Sequence, residues 1–191
     1  LENLSVDGTC YFSDKTNDVN KAFDGKYPGK EATYTENDIN SIYSNNTIYN
    51  AFKDDEVVYS FDIRSSDMLD KTIKYIIINV GSGEAGIAKP EGYKLEYSVD
   101  GSKYTELDIK VAQGRETYKK SSSNWVMNDI YLVLEEPISA SVAKKLKLTI
   151  DSGSQNFLWV SEIGVYGGKP ASTSVDHSIS MNLSGGLNGN G

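Results

Sequence analysis

The stretch YKLEYSVDGSKY, Tyr93 to Tyr104, decides the fold class. Tyr93, Leu95, Tyr97 and Val99 alternate with Lys94, Glu96 and Ser98. A period of two places one apolar face on a core and leaves the other to solvent, which is a strand and not a helix. Asp100-Gly101 follows as a tight-turn pair, and Tyr104 to Ile109 is expected to return as the partner strand. Outward from this hairpin, Glu56 to Ile63 alternates in the same way, with Val57, Tyr59, Phe61 and Ile63 on one face. Ile73 to Val80 (IKYIIINV) is apolar on both faces in its middle, the pattern of a central sandwich strand. Thr9 to Phe12, Asp129 to Leu134, Leu146 to Ile150 and Leu158 to Tyr166 read as further strands. Helix signals are confined to single turns at Asn17 to Phe23 and Ser139 to Lys144. About eight strands separated by turns, with no helical period, predict an all-β antiparallel sandwich, an eight-stranded jelly roll.

Composition narrows the function classes. The 191 residues suffice for one sizeable domain, and thirteen Tyr with abundant Val and Thr favour strands. A net charge of −8 repels phosphodiester backbones and anionic lipid, so neither nucleic acid nor a membrane surface is an expected partner. No apolar run approaches the roughly 20 residues of a membrane-spanning helix. One cysteine, Cys10, excludes an intrachain disulfide and any cysteine-based metal cluster, and is expected as a small packing residue. The single histidine, His177, lies in the tail, which removes histidine triads from the folded part. The acidic runs Asp54-Asp55-Glu56 and Glu135-Glu136 consist of sequence neighbours, which point apart, so they make no acid pair. No nucleophile elbow or phosphate-binding loop is present, and no catalytic residue is expected.

From Gly167 the composition turns to Gly, Ser, Asn and Thr. That is a linker composition, although Val175, Ile179, Met181, Leu183 and Leu187 are apolar for one. The expected division is therefore a β-sandwich module over 1–168 and a tail over 169–191. The chain opens Leu1-Glu2 without a Met, so it reads as a piece of a longer protein whose other domains are its neighbours.

Three stretches together resemble the discoidin or coagulation-factor type C family, which includes the bacterial family-32 carbohydrate-binding modules. They are Asn20-Lys21-Ala22-Phe23-Asp24-Gly25 followed by Thr33-Tyr34, the Tyr93–Tyr104 hairpin, and Ser161-Glu162-Ile163-Gly164-Val165-Tyr166-Gly167. The resemblance spans about Leu4 to Gly167. It implies a galactose-binding-domain-like sandwich in a secreted or cell-surface bacterial protein, and a non-catalytic module that binds a glycan. A protein-binding or cell-adhesion module of the same fold is the alternative. The family's bracketing disulfide has no counterpart here, and the loop between Asp24 and Thr33 is longer than usual.

The resemblance also implies a structural Ca²⁺. Its ligands would be the Asp24 and Glu162 carboxylates, the Thr33 hydroxyl or carbonyl, and carbonyls of Lys21, Lys26 and Ser161. Such a hard cation takes six to eight oxygens, many of them backbone carbonyls of a tight loop.

A sugar site needs a flat apolar platform with a few convergent polar groups. By composition, four loops qualify. Tyr34–Tyr49 offers Tyr43, Asn45, Asn46 and Tyr49; Gly81–Lys89 is glycine-rich with Glu84; Gln113–Trp125 offers Arg115, Asn124 and Trp125; Gln155–Trp159 offers Asn156, Phe157 and Trp159. The expected ligand residues are Tyr43, Tyr49, Arg115, Asn124, Trp125, Asn156, Phe157 and Trp159. Trp159 shares strand parity with Ile163 and Val165, so core packing is equally open to it, and Trp125 could cover the sandwich edge. An exposed salt bridge is the bland role for Arg115. The family's frequent loop histidine is missing, which tells against galactose-type specificity.

Overall fold

The computed structural model describes residues 2–3, 5–11, 22, 50–52, 56–63, 71–83, 86–119, 124–153 and 157–168. Among them run eleven strands: β1 (Glu2–Asn3), β2 (Ser5–Tyr11), β3 (Asn50–Phe52), β4 (Glu56–Ile63), β5 (Thr72–Ser82), β6 (Gly92–Ser98), β7 (Thr105–Leu107), β8 (Ile109–Lys119), β9 (Val126–Ser139), β10 (Lys145–Asp151) and β11 (Leu158–Gly168). They form two antiparallel sheets. One has the order β1-β11-β5-β9-β8, with β3 also paired to β11, and the other the order β2-β4-β10-β6-β7.

The hairpin at Asp100 forms as its sequence dictates. β6 and β7 pair Tyr97 with Thr105 and Leu95 with Leu107. Asp100 Oδ1 accepts from the backbone N–H groups of Ser102 (2.8 Å) and Lys103 (3.0 Å), and Gly101 turns the chain at a φ of 82°. Those donors, Lys103 foremost, hold the Asp100 carboxyl well below the usual carboxylate range. The return strand stops at Leu107, short of Ile109. At Asp108 the chain leaves this sheet, its carbonyl accepting from Glu135 N–H (2.9 Å), and β8 joins the other sheet beside β9.

Between the sheets, Ile73, Ile76, Ile78, Ile130, Leu132, Leu134, Val160, Ile163 and Val165 face Tyr59, Leu95, Leu146, Leu148 and Ile150. Each such side chain, fully buried, stabilises by about 1.5–3 kcal/mol. Ala22, from the Asn20–Gly25 stretch, is also fully buried in this core. A bulge in the pairing of β5 with β9, between Ile73 and Tyr75, shifts the strand's parity. Ile76, Ile78 and Val80 therefore point inward, while Tyr75, Ile77 and Asn79 belong to the outer face. The two-sided apolar pattern of β5 thus does not mean burial on both sides, because Tyr75 and Ile77 are only half-buried.

One expectation about the elements needs correction. Gln113 to Lys119, expected as loop, is the second half of β8. This is an edge strand, and its polar, largely exposed side chains erase the alternation that marks a half-buried strand while discouraging pairing with another chain. Ser139 to Lys144 makes the single turn expected there, with Ala143 N–H donating to the Ser139 carbonyl (3.0 Å). The tail from 169 onward lies outside the described residues.

Candidate functional site

The ends of β5 and β8 and the starts of β9 and β11 meet at one end of the sandwich, where a second apolar cluster sits. It consists of Ile87, Trp125, Met127 and Trp159, with Tyr118 and Phe157 packed against it. The two tryptophans stack at 4.6 Å between centroids with 14° between planes. Trp125 is 0% exposed and Trp159 1%. Neither offers a ring face to a ligand, so both are corrected from platform to core. The parity Trp159 shares with Ile163 and Val165 in the sequence is not the reason, because the bulge between Val160 and Glu162 breaks it: Val160 joins those two in the main core, and Trp159 packs in this second cluster.

Above this stack the loops are joined to one another. Phe157 N–H donates to the Gly86 carbonyl (2.9 Å), and Ala88 N–H reaches the Phe157 carbonyl (3.4 Å). Gly83 N–H closes on the Ile87 carbonyl (3.1 Å). Gly83 adopts a φ of 108°, and a Cβ there would lie 2.1 Å from the carbonyl oxygen of Asn124, so only glycine permits this approach. Phe157 is half-buried, its ring 3.5 Å from where a Gly86 Cβ would stand. Asn124 is exposed beside Trp125. The expected site residues Tyr43, Tyr49 and Asn156 lie outside the described residues.

Arg115 belongs to a different surface. It stands on β8, on the outer face of the six-stranded sheet, with its Nε 3.5 Å from Asp129 Oδ2. Its side chain is 69% exposed and that of Asp129 only 5%, so this pair borders a cleft whose carboxylate is sunk into the sheet. Asn79 organises the floor. Its Nδ2 donates to Asp129 Oδ1 (2.9 Å) and to Thr117 Oγ1 (3.0 Å), and its Oδ1 accepts from the Ser161 hydroxyl (2.5 Å). One amide thereby ties β5 to β8, β9 and β11. Tyr166, Tyr75 and Tyr131 continue the face. Tyr75 stacks on Tyr166 (5.5 Å, 16°) and tilts against Tyr131 (5.8 Å, 51°). Burial pushes the Tyr75 phenol up from its ordinary value, and the neighbouring Tyr131 adds to this. The resulting cleft of about 220 Å³ is lined by Asn79, Arg115, Asp129, Tyr131, Glu162 and Tyr166 with Ile77 and Gly164.

No protein-family model and no curated protein matches the chain. Among solved structures, a chain of the Streptococcus pneumoniae β-galactosidase BgaA aligns over 86% of this chain and 98% of its own length, at 10% identity and a TM-score of 0.55. The two share one sandwich fold. Two further similar structures are CBM32-1 from a family 31 glycoside hydrolase of Clostridium perfringens (15% identity, 86% and 96% covered, TM-score 0.49) and the family 32 carbohydrate-binding module of S. pneumoniae EndoD (10% identity, 86% and 99% covered, TM-score 0.47).

The expected cation ligands are only partly placed. Lys21, Asp24, Lys26 and Thr33 lie outside the described residues. Ser161 and Glu162 sit where β11 bulges against β5, between Val160 and Glu162. Both are buried, at 0% and 6% exposure, and the Ser161 hydroxyl is directed to Asn79. Glu162 brings a buried carboxylate oxygen, the kind of hard donor that Ca²⁺ takes. Among the described residues no three His, Cys, Asp or Glu side chains gather into a metal cluster.

Sequence reasoning missed Asn79, the two cleft tyrosines Tyr131 and Tyr166, and Tyr75 packed against both. The available signal was Tyr75 and Asn79 on one parity of an otherwise apolar strand. A polar or amphipathic residue at such positions marks the outer face.

Proposed function

We propose that this chain is a non-catalytic carbohydrate-binding module of a secreted or surface-attached bacterial protein, holding a glycan on the loops at one end of the sandwich. One observation carries the reading. Phe157 presents a half-buried ring on loops that backbone hydrogen bonds join together, over a buried tryptophan stack that keeps it in place. A flat ring set on a rigid base suits the C–H face of a sugar, since little side-chain freedom is lost on binding. Asn124 stands exposed at the same end to bond hydroxyls, and Tyr43, Tyr49 and Asn156 are the further residues assigned there. The three-stretch resemblance and the shared sandwich fold support the assignment.

A structural Ca²⁺ belongs to the same proposal. Lys21, Asp24, Lys26, Thr33, Ser161 and Glu162 would hold it, and it would tie the Asp24 loop to β11. Affinity at a shallow site of this kind falls in the micromolar to millimolar range, roughly −4 to −8 kcal/mol, and rises when the parent protein carries several modules. Substituting Phe157→Ala and titrating a glycan that the unaltered chain binds tests the placement. Affinity should fall roughly tenfold or more, and an unchanged affinity would remove the sugar from this end.

A further inference from the structure

We propose that the outer face of the six-stranded sheet carries a second sugar site, the tyrosine-lined cleft beside Arg115 and Asp129, and that its occupant is an uncharged pyranose ring. This rests on the glycan-binding reading and adds a site the loop end does not supply.

Three observations converge on that occupant. The first is how the rings lie. A Cβ on Gly164 would come within 2.6 Å of Tyr166 Cε2, and one on Gly114 within 2.3 Å of Tyr131 Cε2. Each tyrosine ring therefore reaches over a glycine, in space any other side chain would fill, and is fixed against the sheet. Tyr75 stacks on Tyr166, so the apolar surface offered to a ligand is the part of the Tyr131 and Tyr166 rings that lines the cleft. The second is size. The cleft of about 220 Å³ is below the roughly 300–1,000 Å³ of pockets that take drug-sized molecules, and suits a single sugar ring. The third is the polar border. Asp129 is fixed by Asn79 and paired with Arg115, which places an acceptor and a donor side by side for sugar hydroxyls. Because Asn79 is itself held from Ser161, these groups are set by four strands and not by a loop. Preorganisation of this kind lowers the ordering cost of binding.

Charge selects among sugars. With Glu162 given to the proposed cation, Asp129 and Arg115 balance each other in the cleft, on a chain of net charge −8. The cleft therefore holds no surplus guanidinium or ammonium to pair with a uronate or a sialic acid, whereas a neutral hexose needs none.

The test is a protein-observed NMR titration of the full chain, with tyrosine and phenylalanine ring signals assigned. The probes are the methyl pyranosides of glucose, galactose and mannose at millimolar concentration, with glucuronate as the charged comparison. At least one neutral glycoside should shift the Tyr131 and Tyr166 signals, at least tenfold more tightly than glucuronate. Tyr131→Ala should weaken those Tyr166 shifts tenfold or more. Should Tyr131→Ala fail to fold, Gly164→Ala keeps every ring and displaces only Tyr166, and should weaken the Tyr131 shifts likewise. If Phe157 responds to sugar while the cleft tyrosines do not, the cleft is refuted and the glycan-binding reading stands. If neither responds to any neutral glycoside, the cleft is refuted and the loop-end assignment is weakened with it. Preference for glucuronate would overturn the charge argument and the proposed occupant.

Discussion

Trp159→Ala separates a core tryptophan from a sugar platform. The ring is 1% exposed, stacked at 4.6 Å on Trp125, and clustered with Met127 and Ile87. Truncation removes nearly all of its buried apolar area and leaves a cavity that Gly81, Met127 and Trp125 border but cannot fill. Phe and Trp to Ala changes in cores cost about 3–5 kcal/mol, and the lost aromatic pair falls within that range. For a chain of this size each kcal/mol moves the melting temperature by about 2–4 °C, so the expected fall is roughly 6–20 °C. Calorimetry, with urea unfolding at 25 °C as a second measure, reads it directly. Because Phe157 rests on this stack, sugar affinity should weaken only as the fold loosens. A melting temperature within about 2 °C of the original, with glycan affinity lost, would refute the reasoning and make Trp159 the platform.

Three other perturbations follow from the same structure. Asn79→Leu should destabilise by about 2–3 kcal/mol in urea unfolding, since it strips a hydrogen bond from the buried Asp129 carboxylate and leaves the Ser161 hydroxyl only the residue-79 backbone carbonyl, at 3.5 Å. Removing Ca²⁺ with chelator should lower the melting temperature, and Asp24→Ala should abolish that difference; equal melting with and without chelator would remove the cation. Tyr93, by burial, and Tyr75, by burial and then Tyr131, have phenol pKa values raised above the ordinary 10.0. Their contribution is whole below pH 10 and is lost as the unfolded chain ionises first, so stability should fall from about pH 10 upward, with tyrosinate absorbance rising later in the folded chain than in urea.

The fold was legible because its signals are local. Alternation at Tyr93–Val99 and Glu56–Ile63 needs no knowledge of partners, and Asp100-Gly101 specifies its own turn. β8 was illegible for the opposite reason. An edge strand with exposed polar side chains has no apolar face to show, so Arg115 was assigned to a loop when it stands on a sheet. The tryptophans exposed another limit. Composition marks Trp125 and Trp159 as site-like, but whether a ring faces water or another ring depends on pairing across the sheet, and Trp125 has no strand parity to read. The cleft could not have been assembled from the sequence at all. Tyr75, Tyr131 and Tyr166 come from three strands, and their approach depends on register, on a bulge beside Ile73, and on glycines at 114 and 164 whose role is only to leave space.

The most direct test of glycan binding is a glycan-array screen of the chain, followed by calorimetric titration of the strongest ligand. A carbohydrate-binding module should retain a small set of related glycans, with a dissociation constant in the micromolar to millimolar range, and leave each glycan chemically unchanged after prolonged incubation. Retention of no glycan at millimolar concentration, or cleavage of one that is retained, would contradict it.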